Sequence, residues 1–176
     1  MPKIELLILD VDGVLTSGTL AYDAEGQRQK IFHVHDGGAI RLWHQSGGRC
    51  AIISGRTSPA VEFRAQELGI EMVTQGVKDK LPAYFEACRS QGVEDSAVSF
   101  MGDDLLDLEP MALCGYPIAV AGADPIVKRS ARYVTRRFGG DGAVREAVER
   151  LMRLNGTWSR AIGEWTARRP RGKAQA

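Results

Sequence analysis

Apolar residues gather into short unbroken runs, separated by longer stretches in which they recur every three or four positions. This is the pattern of a parallel sheet covered by helices. Ile4 to Leu9 reads as a buried strand, and Arg49 to Ile53, Glu71 to Thr74, Ala97 to Met101 and Tyr116 to Ala121 read as further strands. Helices are expected over Gly38 to Ser46, closed by Gly47-Gly48, and from Pro59 to about Leu68, with Ser58 as its cap. Leu81, Tyr84, Phe85 and Cys88 mark the buried face of a helix within Lys78 to Gln91, where Pro82 fits only in the first turn. Leu105, Leu108, Met111 and Ala112 form another such face. Val144, Ala147, Val148, Leu151 and Met152 form the last, after a Gly139-Gly140-Asp141-Gly142 loop.

One segment breaks the alternation. Gly18 to Asp23 and Gln29 to His35 each show partial period two, joined at Ala24-Glu25-Gly26-Gln27, which predicts a β-hairpin over about 18–35 with His33 and His35 on its second strand. Surface or interface packing suits these two histidines better than catalysis. The expected fold class is therefore α/β: a Rossmann-like, mostly parallel sheet with flanking helices and a hairpin insertion, in one domain over residues 1–156.

Composition narrows the function. The 176 residues, 44% hydrophobic, suffice for one compact core, and 23 basic against 22 acidic side chains leave no surplus for nucleic acid or membrane headgroups. No apolar stretch is long enough to span a bilayer, and the amino end offers no small-residue cleavage site, against a signal peptide. Cys50, Cys88 and Cys114 stand apart among apolar residues, which predicts reduced thiols in the cytoplasm rather than disulfides or a zinc site. Residues 157–176 hold five basic side chains against Glu164 alone, a net +4 that leaves −3 on the body. This basic C-terminal tail is either a solvated terminus or, given Trp158, Ile162 and Trp165, a segment that docks.

The candidate chemistry sits at strand ends. Asp10 and Asp12 follow the first strand, where alternation puts both carboxylates on one side, and they repel unless a cation or proton holds them. Gly102-Asp103-Asp104-Leu105-Leu106-Asp107 repeats the arrangement at another strand tip. On adjacent strands the two clusters make an oxygen-rich site of the kind that holds Mg²⁺. Ser54, Gly55 and Arg56 place a hydroxyl, a backbone N–H and a guanidinium past a third strand, and Lys80 starts the following helix, so a phosphate is the expected guest. Asp104 is open between ligand, helix cap and solvated acid, and Arg56 between binding substrate and pairing with an acid.

D-x-D-G-V, S-G-R, K-L and G-D-D-x-x-D, in this order, resemble the four motifs of the haloacid dehalogenase (HAD) phosphohydrolase superfamily. D-V-D-G-V-L-T, F-x-V-x-D-G, I-I-S-G-R, G-V-K-D-K-L and G-A-V-R-E resemble, more closely, its 3-deoxy-D-manno-octulosonate 8-phosphate phosphatases, with a place in lipopolysaccharide biosynthesis. The resemblance implies a capless HAD fold in which hairpins of a homotetramer cover the site. It implies Asp10 as nucleophile, forming an aspartyl phosphate, and Asp12 as general acid and later base. Mg²⁺ would be held by Asp10, the backbone carbonyl of Asp12 and Asp103, with Asp107 in support. Ser54, Gly55 and Lys80 would hold the phosphoryl group, while Arg56 and Asp36 would join in binding a phosphorylated sugar acid. His35, Ala39 and Asp141 depart from the family pattern, which usually has an arginine, a glycine and a basic residue there. These departures touch recognition and leave the phosphatase chemistry intact, so a phosphatase of a nine-carbon acid sugar 9-phosphate or of another small phosphate ester stays open; the alternative from another class is a non-catalytic HAD-like assembly module, although every motif position is chemically competent.

Overall fold

The computed structural model describes residues 2–26 and 28–167. Its centre is β1 (Leu6–Leu9), a run of four wholly buried aliphatic residues. On one side β1 pairs in parallel with β4 (Arg49–Ile53), and on the other with β6 (Val98–Gly102). β5 (Met72–Thr74), β7 (Ile118–Ala119) and β8 (Tyr133–Val134) extend a six-stranded parallel sheet in the order β5-β4-β1-β6-β7-β8. The register sets Leu9 opposite both Ile52 and Met101, so the chain leaves all three central strands at one level.

Among the described residues seven helices accompany the sheet: α1 (Val34–Gln45), α2 (Pro59–Leu68), α3 (Leu81–Gln91), α4 (Leu108–Leu113), α5 (Pro125–Ser130), α6 (Ala143–Leu154) and α7 (Trp158–Ala167). α1 packs on α6, and α3 on α4. The three cysteines are free and buried, and burial holds each thiol above its ordinary pKa, as expected of core filler. Among the described residues no helix is long and apolar enough to cross a membrane.

The predicted hairpin is shorter than expected. Only β2 (Ala21–Tyr22) and β3 (Arg28–Gln29) pair, and α1 begins at Val34, so His33 is its N-terminal flank and His35 lies in its first turn rather than on a strand. α1 starts four residues before the predicted Gly38, and a Cβ on Gly37 would lie 2.2 Å from the Arg64 guanidinium. That glycine lets the Arg64 and Leu68 side chains of α2 close against α1. Ser58 takes the cap position of α2, but its hydroxyl makes no cap bond; its N–H donates to Gln75 Oε1 at 2.9 Å. Phe85 points outward, because α3 buries Ala83, Tyr84, Ala87 and Cys88 instead. Leu105 and Leu106 are exposed in a 3₁₀ turn before α4, and Ala112 is exposed as well, so only Met111 of the predicted face is fully buried.

α5 and β8 have no counterpart in the sequence prediction, being too short for a periodic signal. In the tail, α7 packs against α6 through buried Ala161, with Trp158 and Ile162 on the core. The Trp158 ring lies 5.6 Å from the Arg145 guanidinium and 5.0 Å from that of Arg153, and Trp165 Nε1 donates to Gln45 Oε1. Arg168, Arg169, Arg171 and Lys173 lie outside the described residues.

Candidate active site

Three loops leave the sheet side by side. The first follows β1: Asp10 N–H donates to Met101 O at 3.1 Å, extending the β1–β6 ladder by one residue before Val11–Leu15 wind into a single π-type turn. Gly13 makes that turn at a φ of 93°, and a Cβ there would lie 2.0 Å from Asp103 Oδ2. Only glycine lets this turn meet the Asp103 carboxylate so closely.

The second loop follows β6. Asp107 turns back so that its Oδ2 accepts from Asp103 N (2.8 Å) and Asp104 N (3.1 Å), while Asp104 Oδ1 accepts from Leu105 N at 2.7 Å. Asp104 is thus the cap of the 3₁₀ turn. The third loop follows β4 and carries Ser54, Gly55 and Arg56; Ser54 Oγ accepts from Arg56 N–H at 3.3 Å. Lys80, flanking the start of α3 and only 4% exposed, sends its Nζ to Asp10 Oδ1 (2.7 Å) and Asp107 Oδ1 (2.6 Å).

These loops enclose a cavity of about 370 Å³ that brings together Asp10, Asp12, Ser54, Gly55, Arg56, Lys80 and Asp103 with Asp107. Arg56 does pair with an acid, its Nε lying 3.9 Å from Asp12 Oδ2. Asp36 is placed elsewhere. It sits in the first turn of α1, buried, its Oδ1 accepts from Arg145 N at 2.8 Å in the first turn of α6, and it is not among the residues that line the cavity. The extended reading of residues 29–35 hid this, because it left no helix to turn Asp36 inward. Sequence reasoning also missed Lys30, whose Nζ is 2.5 Å from Asp12 Oδ1; no spacing rule links a residue past the hairpin to an acid 18 positions earlier.

Charge is unevenly balanced here. Asp10, Asp103 and Asp107 each offer an oxygen within 4.8 Å of the others, and Lys80 is shared between two of them. Burial pushes the Asp10 carboxyl up to about 6, with Asp107 adding to the rise and Lys80 opposing it. Burial, joined by Asp10 and Asp107, pushes Asp103 up to about 8. Burial alone would lower the Lys80 ammonium, but the Asp10 and Asp107 carboxylates outweigh it and hold it above its ordinary value. Asp103 Oδ1 is buried with no hydrogen-bond partner among the described residues. A converging set of hard oxygens, one of them orphaned, suits a divalent cation such as Mg²⁺.

The sequence pattern of the haloacid dehalogenase-like hydrolases matches residues 63–146. Similarity to individual proteins covers far more. The 3-deoxy-D-manno-octulosonate 8-phosphate phosphatase of Yersinia pestis is 43% identical over 85% of this chain and 80% of its own. The chain belongs to the haloacid dehalogenase-like hydrolases. The crystal structure of the same-named enzyme from Moraxella catarrhalis, in complex with a magnesium ion, a phosphate ion and a KDO molecule, covers 92% of this hydrolase and 93% of its own chain, with a TM-score of 0.89 and 38% identity. A cobalt-bound deoxy-D-mannose-octulosonate 8-phosphate phosphatase from Haemophilus influenzae covers 89% and 92%, with a TM-score of 0.86 and 39% identity. With phosphatases as relatives over nearly its whole length, the hydrolase is a phosphomonoesterase, and the assembly-module alternative is set aside.

Proposed function

We propose that this hydrolase releases phosphate from 3-deoxy-D-manno-octulosonate 8-phosphate, in a Mg²⁺-dependent reaction that passes through a phosphorylated Asp10. The observation that carries the reading is the convergence of Asp10, Asp103 and Asp107 beside Lys80 in one cavity, with Ser54 and Gly55 across it. Relatives with this substrate in their names supply the choice of ester.

Lys80 holds Asp10 Oδ1, which orients the carboxylate so that its other oxygen attacks phosphorus while the bond from phosphorus to the sugar oxygen breaks. Asp12 gives a proton to that departing oxygen. A water then attacks the aspartyl phosphate, Asp12 takes its proton, and inorganic phosphate leaves with Asp10 restored. The Ser54 hydroxyl, the Gly55 N–H and the Lys80 ammonium hold the transferring oxygens, and Arg56 stands at the mouth, half exposed, to meet the substrate. Asp10, Asp103 and the Asp12 carbonyl would hold Mg²⁺, which offsets the repulsion between a carboxylate and a phosphate dianion.

We place the reaction in the cytoplasm, in keeping with three free buried thiols. We also propose a homotetramer, in keeping with the exposed Leu105 and Leu106 at the rim and Ile31 and Val34 beside the hairpin, which a neighbouring copy would cover. Light scattering that gives a monomer at all concentrations would remove that part.

The decisive experiment is phosphate release by wild type and Asp10→Asn on purified eight- and nine-carbon acid sugar phosphates. The variant should lose at least about 10³-fold in kcat while melting normally. Wild type should prefer the eight-carbon ester; preference for the nine-carbon ester would reassign the substrate, and an active Asp10→Asn would remove the nucleophile.

A further inference from the structure

Asp12 is held from outside its own loop. It lies within the π-type turn at a non-helical φ of −77° and ψ of 113°, so its side-chain direction is not set by a helix. Its Oδ1 is taken by Lys30 at 2.5 Å, and its Oδ2 is buried and accepts no hydrogen bond from the described residues, with the Arg56 guanidinium 3.9 Å away. Lys30 is the first residue past β3, in an arm whose two strands are each two residues long and mostly exposed. Yet the Lys30 side chain is only 8% exposed. Burying an ammonium is costly unless an oxygen accepts from it, so Lys30 fixes Asp12 Oδ1 as an acceptor and the proton that Asp12 gives is carried on Oδ2.

We propose that Lys30 is a positioning residue for proton transfer. It locks one oxygen of Asp12 and leaves the other for the departing sugar oxygen, so that the hairpin helps to aim the catalytic acid. This rests on the reading of Asp12 as general acid. Loss of such aim should matter most for an ester whose leaving group needs a proton and little for one that leaves as a stable anion, whereas a merely structural anchor would affect both alike.

The test compares kcat/KM, which reports the steps up to leaving-group departure, on the sugar phosphate and on p-nitrophenyl phosphate. The variants are Lys30→Gln, Lys30→Arg and Asp12→Asn, with melting temperatures recorded alongside. Lys30→Gln should lose roughly 10- to 100-fold on the sugar phosphate and less than about threefold on the aryl ester. Lys30→Arg, which keeps the charge, should recover most of the loss and shows that the effect is not one of folding. Equal losses on both esters, or none on either, would overturn the proposal. Asp12→Asn sharing the ester-selective loss while Lys30→Gln lacks it overturns the role of Lys30 alone. Full turnover of the sugar phosphate by Asp12→Asn overturns the acid itself and Lys30 with it.

Discussion

Two acids of this hydrolase are both half-buried and behave in opposite ways. Glu146, in the first turn of α6, accepts from the Tyr133 hydroxyl (2.7 Å), Arg136 N (3.1 Å) and Arg137 N (3.0 Å). Burial alone would raise its pKa, but these donors outweigh it and hold the carboxyl below the usual range. Asp103, past the tip of β6, has a buried oxygen with no donor and two carboxylates for neighbours, and its pKa stands near 8. The first acid closes a loop onto a helix. The second is left incomplete by the protein, and a cation would complete it. A half-satisfied carboxylate is a cost to the fold that is retained where chemistry uses it.

The sharpest break of this comparison is to neutralise each acid in turn. Asp103→Asn should lower kcat by roughly 10²-fold or more and raise the Mg²⁺ concentration needed for half-maximal rate. Glu146→Gln should leave both within about twofold; steady-state kinetics over a Mg²⁺ series reads the difference, and equal effects would erase the distinction.

A second probe is pH. In metal-free protein, Asp10 and Asp103 keep protons that the unfolded chain has released, since both carboxyls are held above the ordinary value of 3.8. Their contribution to stability therefore falls as pH rises from about 4 to about 8. Glu146 has the opposite sign: its contribution is present above the unfolded pKa and is lost as pH falls through its depressed one. Melting of chelator-treated protein should show Mg²⁺ raising the Tm more at pH 8 than at pH 5, and a Mg²⁺ effect independent of pH would contradict the assignment. The smallest effect concerns Glu146 alone: Glu146→Gln weakens its charge-assisted bonds and should cost about 1.5 kcal/mol in urea unfolding.

Much of the site was legible in one dimension. The runs ending at Leu9, Ile53 and Met101 are apolar apart from Ser99, so burial forces them into the sheet, and the polar residues that follow must emerge at its edge. Asp10, Ser54 and Asp103 were found that way. The hairpin boundary was not, because partial alternation over residues 29–35 outweighed a helix start whose first-turn acid, Asp36, finds its partner at Arg145 N on another helix. Asp36 was misplaced with it. Lys30 carried no signal at all, since its pairing with Asp12 depends on how an exposed arm folds back.

Which kinds of group stand at the sheet edge follows from local rules of burial and charge, and those act on neighbours in the chain. Which oxygen each group offers does not. Asp104 and Asp107 are three residues apart with the same chemistry, yet one caps a turn in solvent while the other is buried on Lys80. Side-chain direction at a loop depends on backbone angles and on partners brought from β1, α3 and the hairpin. The packing of the whole molecule sets those, and no stretch of sequence near the acid contains them.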